Sequence, residues 1–224
     1  MRVAGSSLLK IAVVASLCHS PAFAAKAEMP ADQLFSFLGR YYAIPPKERD
    51  RFTLSYCLLI DGRSAPGRFT LEVGAERKPL TLDSAGCVEQ LPGPRDLARH
   101  ASVLMEDNAP AGEHQLAVNI GLRALIPPAR EISAAACVAA IVQAEAGVKK
   151  AVARFGIDPK IRRVGFPGAG GGVAIMNDGR SVPLPLLNAF PIFDPAEMAA
   201  AQKIRLQREP SSVIFPDPIL PLER

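Results

Sequence analysis

From Phe52 onward the chain alternates. FTLSYCLLI (Phe52 to Ile60) carries aromatic and branched residues at strand spacing and stops at the turn signal DGR. RFTLEV (Arg68 to Val73) alternates cleanly, and KPLTLD (Lys78 to Asp83) follows after GAER. SAG leads into CVEQLP, and SVLM (Ser102 to Met105) and HQLAVNIGL (His114 to Leu122) continue the pattern, with Leu116, Val118 and Ile120 set between polar neighbours. Short strands at turn-punctuated intervals predict an antiparallel sheet, half of a sandwich.

The period changes to that of a helix in two places before the last third of the chain. PADQLFSFLGRYY (Pro30 to Tyr42) opens with a proline and places Leu34, Phe35 and Leu38 on one face, with Gly39 as its expected end. The clearest helix follows Ser133, its expected cap, where Cys137, Ile141, Ala144, Val148, Val152 and Phe155 recur at helical spacing and Gly156 can close it. Gln143, Lys149, Lys150 and Arg154 fall largely elsewhere on the wheel, so the stripe reads as the core face against the chain's own sheet.

Beyond Asp158-Pro159 the strand period returns in IRRVGF and GVAIM, then NDG (Asn177 to Gly179) predicts a hairpin and RSVPLPLL an edge strand or extended loop. Asp194-Pro195-Ala196-Glu197 has the form of a capping box and predicts a short helix to about Gln202. KIRLQR (Lys203 to Arg208) alternates. In the tail, SSVIF (Ser211 to Phe215) is a strand-forming run between Pro210 and Pro216, followed by ILPL, and its apolar side chains predict docking of Val213 to Phe215 on a sheet edge.

These elements predict an α+β protein. Residues 25–50 form a helical lead-in and residues 51–126 a β-rich unit, immunoglobulin-like or transthyretin-like. Pro127-Pro128 marks a boundary, and residues 127–224 form a second unit in which one long helix packs on a β-hairpin sheet before an extended tail.

The first 24 residues change the picture from fold to place. Arg2 and Lys10 precede a short apolar run, IAVVASLC (Ile11 to Cys18), and Ala22-Phe23-Ala24 fits the signal-peptidase rule. The run falls short of the ~20 apolar residues of a membrane span. Lipoprotein processing at Cys18 is disfavoured by the large Leu17 before it. Cleavage after Ala24 and a periplasmic or secreted location are therefore expected. No later segment is long and apolar enough to cross a membrane; AAACVAAIV (Ala134 to Val142) stops at Gln143.

Without Arg2 and Lys10 the chain keeps 24 basic against 22 acidic side chains, a net charge of +2. With no basic run interleaved with aromatics, nucleic acid is not an expected partner.

Cys57, Cys87 and Cys137 remain after cleavage, in a compartment that permits disulfides. Three single pairings exist; Cys57 with Cys87 is favoured because both lie in strand-like sequence of one unit. Cys137 then reads as a small buried hydrophobe.

FPGAGGG (Phe166 to Gly172) invites a nucleotide reading and fails it. No Lys-Ser/Thr follows, the third glycine of a dinucleotide fingerprint falls on Val173, and a strand rather than a helix comes next. No nucleotide and no cofactor is expected; the loop is a connection or bulge between strands.

No G-x-S-x-G, H-E-x-x-H, S-x-x-K or C-x-x-C spacing occurs after residue 24, so no catalytic, cofactor-binding or metal-binding residues are assigned. Glu106, Asp107, Glu113 and His114 read as a charged loop beside a strand, and Cys137 with His100 would form a nucleophile–base pair only if the two units faced each other. The expectation is a non-catalytic binding or scaffolding protein of the bacterial cell envelope, whose partner, if any, is another envelope protein. The alternatives are a periplasmic hydrolase with its site between the units and a folding helper for exported chains.

Overall fold

The structure, a computed structural model, describes residues 25–60, 63–64, 68–107, 116–153 and 158–217. The predicted signal peptide, Glu113, His114, Phe155, Gly156 and the ILPL segment lie outside them. The α+β class holds: antiparallel sheets dominate and one long helix packs on them.

Strands β1 (Ala25–Pro30), β4 (Arg68–Val73), β5 (Glu76–Leu80) and β6 (Ser102–Asp107) form one sheet in the order β1-β6-β4-β5. Strands β2 (Phe52–Ile60), β3 (Arg63–Ser64) and β7 (Leu116–Ala124) belong to another. The strands expected in a single N-terminal sheet are thus divided between two, and β1 joins the first where only a lead-in was expected. In β2, Phe52, Leu54, Tyr56 and Leu58 are buried on one face, while Thr53, Ser55 and Cys57 alternate with them. Opposite those three stand Arg123, Gly121 and Asn119 of β7, so the strand pair carries a polar face behind its apolar one.

The predicted helix over residues 30–42 is broken in two. Helix α1 (Ala31–Leu34) and helix α2 (Leu38–Ala43) are separated by residues 35–37, with Phe37 in the left-handed region at φ 70° and Gly39 inside α2 rather than at its end. The reason is in the core. The interruption turns Phe35 edge-on to Tyr56 and Tyr41 edge-on to Phe52, and the freed carbonyl of Ser36 accepts the Tyr56 hydroxyl. A short helix α3 (Pro94–Ala98) follows β5.

After β8 (Glu131–Ser133), helix α4 (Ala134–Val152) starts as expected, with the Ser133 hydroxyl accepting the N–H of Ala136 at 3.4 Å. Cys137, Ala140, Ile141, Ala144, Val148 and Val152 are buried, and α4 packs on β8, β7, β2 and the later strand β14 (Ala201–Leu206). Gln143 fastens the flank of α4 to the preceding loop, accepting from the Arg51 N–H at 2.7 Å and donating to Asp50 and to the Lys47 carbonyl.

Of IRRVGF only β9 (Val164–Gly165) is paired, because the Arg162 and Arg163 N–H groups go to the Asp217 carboxylate instead. Strand β10 (Gly172–Met176) and edge strand β11 (Ser181–Pro183) make the NDG hairpin and complete a four-stranded sheet, order β11-β10-β14-β8. The short strands β12 (Leu186–Leu187) and β13 (Phe190–Phe193) follow. The helix predicted from Asp194 to about Gln202 does not form. Asp194 makes one turn, its carboxylate accepting from Ala196 and its carbonyl from Met198, and the chain then enters β14. Pairing with β10 and β8 on both sides outweighs the local capping signal.

The glycine loop is filled by its own chain. Gly168 and Gly170 take φ of 80° and 75°, and the loop carbonyls of Pro167, Ala169 and Gly171 accept from Ser211, Arg208 and Gln207. A Cβ on Gly172 would stand 2.8 Å from Leu206 Cδ2 and 2.9 Å from the Arg205 carbonyl.

The tail docks. Strand β15 (Ile214–Phe215) pairs with β7 on one side and β9 on the other, burying Val213 and Phe215. It is an interior strand rather than an added edge, and it joins residues from both sides of Pro127-Pro128 into one seven-stranded sheet, order β12-β13-β9-β15-β7-β2-β3.

Candidate functional site

The polar face of β2 and β7 forms the floor of a cleft of about 460 Å³. The loop from Asp83 to Cys87 forms one wall, and Pro167 with the tail from Ser211 to Asp217 forms the other. On the floor stand Ser55 and Cys57 of β2 and Asn119, Gly121 and Arg123 of β7. A Cβ placed on Gly121 meets nothing within 4 Å, so the middle of the floor is bare backbone under open space. Glycine inside a strand commonly marks such a place of close approach.

The first wall is stapled by the disulfide predicted from the sequence, Cys57 to Cys87. Their Cα atoms are 3.7 Å apart and the two residues face each other across an antiparallel bridge. Leu58 donates to the Gly86 carbonyl and Val88 to that of Tyr56. The Asp83 carboxylate closes the turn by accepting from the N–H groups of Ala85 and Cys87, each at 2.9 Å, and its other oxygen accepts from Arg123 Nη2 at 2.6 Å. Burial alone would raise the Asp83 carboxyl, but the Arg123 bond, the two N–H donors and the nearby positive charge outweigh it and hold the group below the usual carboxylate range.

The second wall is held by Asp217. Its side chain is 6% exposed. One carboxylate oxygen accepts from the N–H groups of Arg162 and Arg163 at 2.8 and 2.9 Å, and the other from Arg163 Nε at 2.8 Å and from Arg163 Nη2.

The other candidates stay apart. Cys137 is fully buried in α4 and burial pushes its thiol up to about 12, whereas His100 is exposed and lines a separate hollow with Glu28, Asp32 and Gln33. Glu106 is exposed on β6. Among the described residues no three His, Cys, Asp or Glu side chains gather to hold a metal ion, and no helix is long and apolar enough to cross a membrane. A third hollow, over β8 and β14, is lined by Glu131, Lys203 and Arg205, and Glu131 accepts from both of the others.

The disulfide was legible in the sequence. Asp83, Asn119, Gly121, Arg123, Arg163 and Asp217 were not assigned there; a glycine between an asparagine and an arginine on the non-core register of a strand is a signal for Asn119, Gly121 and Arg123, and nothing local marks Asp83, Arg163 or Asp217. Compared with known proteins, the chain matches no family model, no curated protein and no solved structure.

Proposed function

We propose that this chain is an exported, non-catalytic binding protein of the bacterial cell envelope, periplasmic or secreted, with the cleft over Gly121 as its binding site. The sheet of β1, β6, β4 and β5 and the β2–β7 pair serve it as an immunoglobulin-like or transthyretin-like frame, and the docked tail as one wall. The state of the cleft's two acids carries this reading. Asp83 and Asp217 are each occupied by an arginine and two backbone N–H groups. Carboxylates so engaged build a shape and are poorly suited to move protons. A disulfide in the wall fits an oxidising compartment.

The test is an amide NMR titration of the chain from Ala25 with free amino acids, short peptides, simple sugars and small acids. Saturable shifts clustered at Ser55, Asn119, Gly121 and Arg123, and lost in Gly121→Leu, support the reading. A panel that leaves those amides unmoved overturns it. Export is checked separately from the N-terminus of protein recovered from cells: a start at Ala25 supports it, and a retained Met1 overturns it.

A further inference from the structure

We propose that the cleft recognises a carboxylate, held by Arg123 above Gly121 and attached to a small apolar group. The inference rests on the binding reading above and names the ligand's chemistry. It follows from which hydrogen-bonding groups in the cleft are already used. The charged acceptors are engaged: both oxygens of Asp83 and both of Asp217 take bonds from the protein itself. The donors are not. Arg123 gives one bond, from Nη2 to Asp83, and its Nε and Nη1 have no partner among the described residues; its side chain is 26% exposed. The Asn119 amide and the Ser212 hydroxyl, each able to donate or accept, line the same cleft, and their side chains make no hydrogen bond to another described residue.

A site whose carboxylates are engaged and whose guanidinium keeps spare N–H groups favours an anion that accepts, and neutral groups such as Asn119 and Ser212 can donate to it as well. A cation finds no free carboxylate among the described residues that line the cleft. A phosphate dianion would bring two negative charges beside Asp83 and Asp217, whereas a carboxylate brings one and matches the planar guanidinium.

Asp83 is the positioning residue. It holds the guanidinium by one nitrogen, and Arg123 lines the cleft, while the disulfide and the turn at Ala85 hold Asp83. Bare backbone at Gly121 gives the carboxylate room, since no side chain stands between Asn119 and Arg123 on that face. Pro167, Ile214 and Pro216 line the cleft beside it and offer apolar surface to the group that carries the carboxylate. A peptide C-terminus with an apolar last residue and a short branched acid share this chemistry.

The chain from Ala25 is titrated, by amide NMR, with acetyl-alanyl-alanyl-leucine as the free acid, with its C-terminal amide, and with 4-methylpentanoate. The free acid is expected to shift Asn119, Gly121, Arg123 and Ser212 saturably. The amide should bind roughly ten- to a hundredfold more weakly, as loss of a charged hydrogen bond implies. Arg123→Lys keeps the charge opposite Asp83 but loses the planar donors, so it should weaken the acid by a similar factor with the melting temperature unchanged. Binding of 4-methylpentanoate as tight as that of the peptide identifies a small acid, and binding of the peptide alone identifies a chain terminus; either supports the inference. Equal binding of acid and amide overturns it, as does a free acid that shifts nothing. In both cases a sugar or other uncharged compound that still shifts these amides, in a manner abolished by Gly121→Leu, leaves the binding reading standing.

Discussion

The glycine loop from Phe166 to Gly172 and the single Gly121 of β7 are both bare backbone, and they do opposite things. At Gly170, Gly171 and Gly172 an added Cβ would press on Arg208, Gln207 and Leu206, so the missing side chains make room for the chain itself. At Gly121 an added Cβ would meet nothing, and the missing side chain leaves room for something else. Four glycines in seven residues mark close packing; one glycine in a strand marks open space. The tail is the wall they share. Ser211 donates to Pro167 at the loop, and three residues on Ile214 pairs with Arg123 at the cleft.

Deleting residues 209–224 removes the wall that both regions share. Burial of Val213 and Phe215 is lost, at about 1.5–3 kcal/mol each, together with the Asp217 bonds that hold Arg163. The truncated chain is expected to melt far lower and to associate through the exposed strands of β7 and β9. A truncated chain that melts like the full one and stays monomeric would show that β15 does not hold the sheet together.

The two regions separate on reduction. The disulfide closes a span of 30 residues, and Cys57→Ser with Cys87→Ser is expected to cost about 3 kcal/mol. Amide shifts should spread over Asp83 to Cys87 and Asn119 to Arg123 and spare Gly168 to Gly172. Equal disturbance of both regions would mean that they are coupled more tightly than the tail alone provides.

A matched pair of alanines sharpens the contrast. Gly172→Ala forces a Cβ against the Arg205 carbonyl and Leu206 and is expected to cost about 1–3 kcal/mol, several degrees in Tm. Gly121→Ala is expected to be neutral or to stabilise by up to about 1 kcal/mol, because it restricts only the unfolded chain. Thermal melts of the two variants side by side decide it; a large loss at Gly121 would mean that the space above it is not open.

The smallest effect concerns pH. Asp83 has a folded carboxyl held below its ordinary value, so the stability it contributes is present above the unfolded value near ~4 and is lost as pH falls through the folded one. Asp83→Asn should cost about 1–2 kcal/mol at pH 7, with the difference from the parent closing below about pH 4. Denaturant melts at both pH values measure it. A difference that does not change with pH would assign the loss to the turn rather than to the charge pair.

What could be read from the chain beforehand follows the range of the interactions. The alternation of β2 and β4, the Ser133 cap and inward stripe of α4, the NDG hairpin and the docking of Val213 to Phe215 rest on period and turn chemistry, which neighbours in sequence supply. Where distant groups compete, local reading fails. The helix over residues 30–42 breaks because Tyr56 claims the Ser36 carbonyl, and the one predicted from Asp194 gives way to pairing on both sides of β14. Grouping of strands into sheets was hidden for the same reason, since β15 reaches back to β7 across most of the second unit. The cleft is the extreme case: Asp83 and Arg123 lie 40 residues apart, and Arg163 and Asp217 lie 54 apart. Only the cysteines announced themselves, because their pairing is limited to so few choices.

The interior position of β15 has a consequence for how the molecule comes into being. Strands β7 and β9 precede it in the chain, yet they reach each other only through it. Until residues 213–217 have been made, the central sheet exists as two separate ribbons, each with an open flank. Closure then requires a late segment to slot between two earlier ones, a contact of long sequence separation and slow formation.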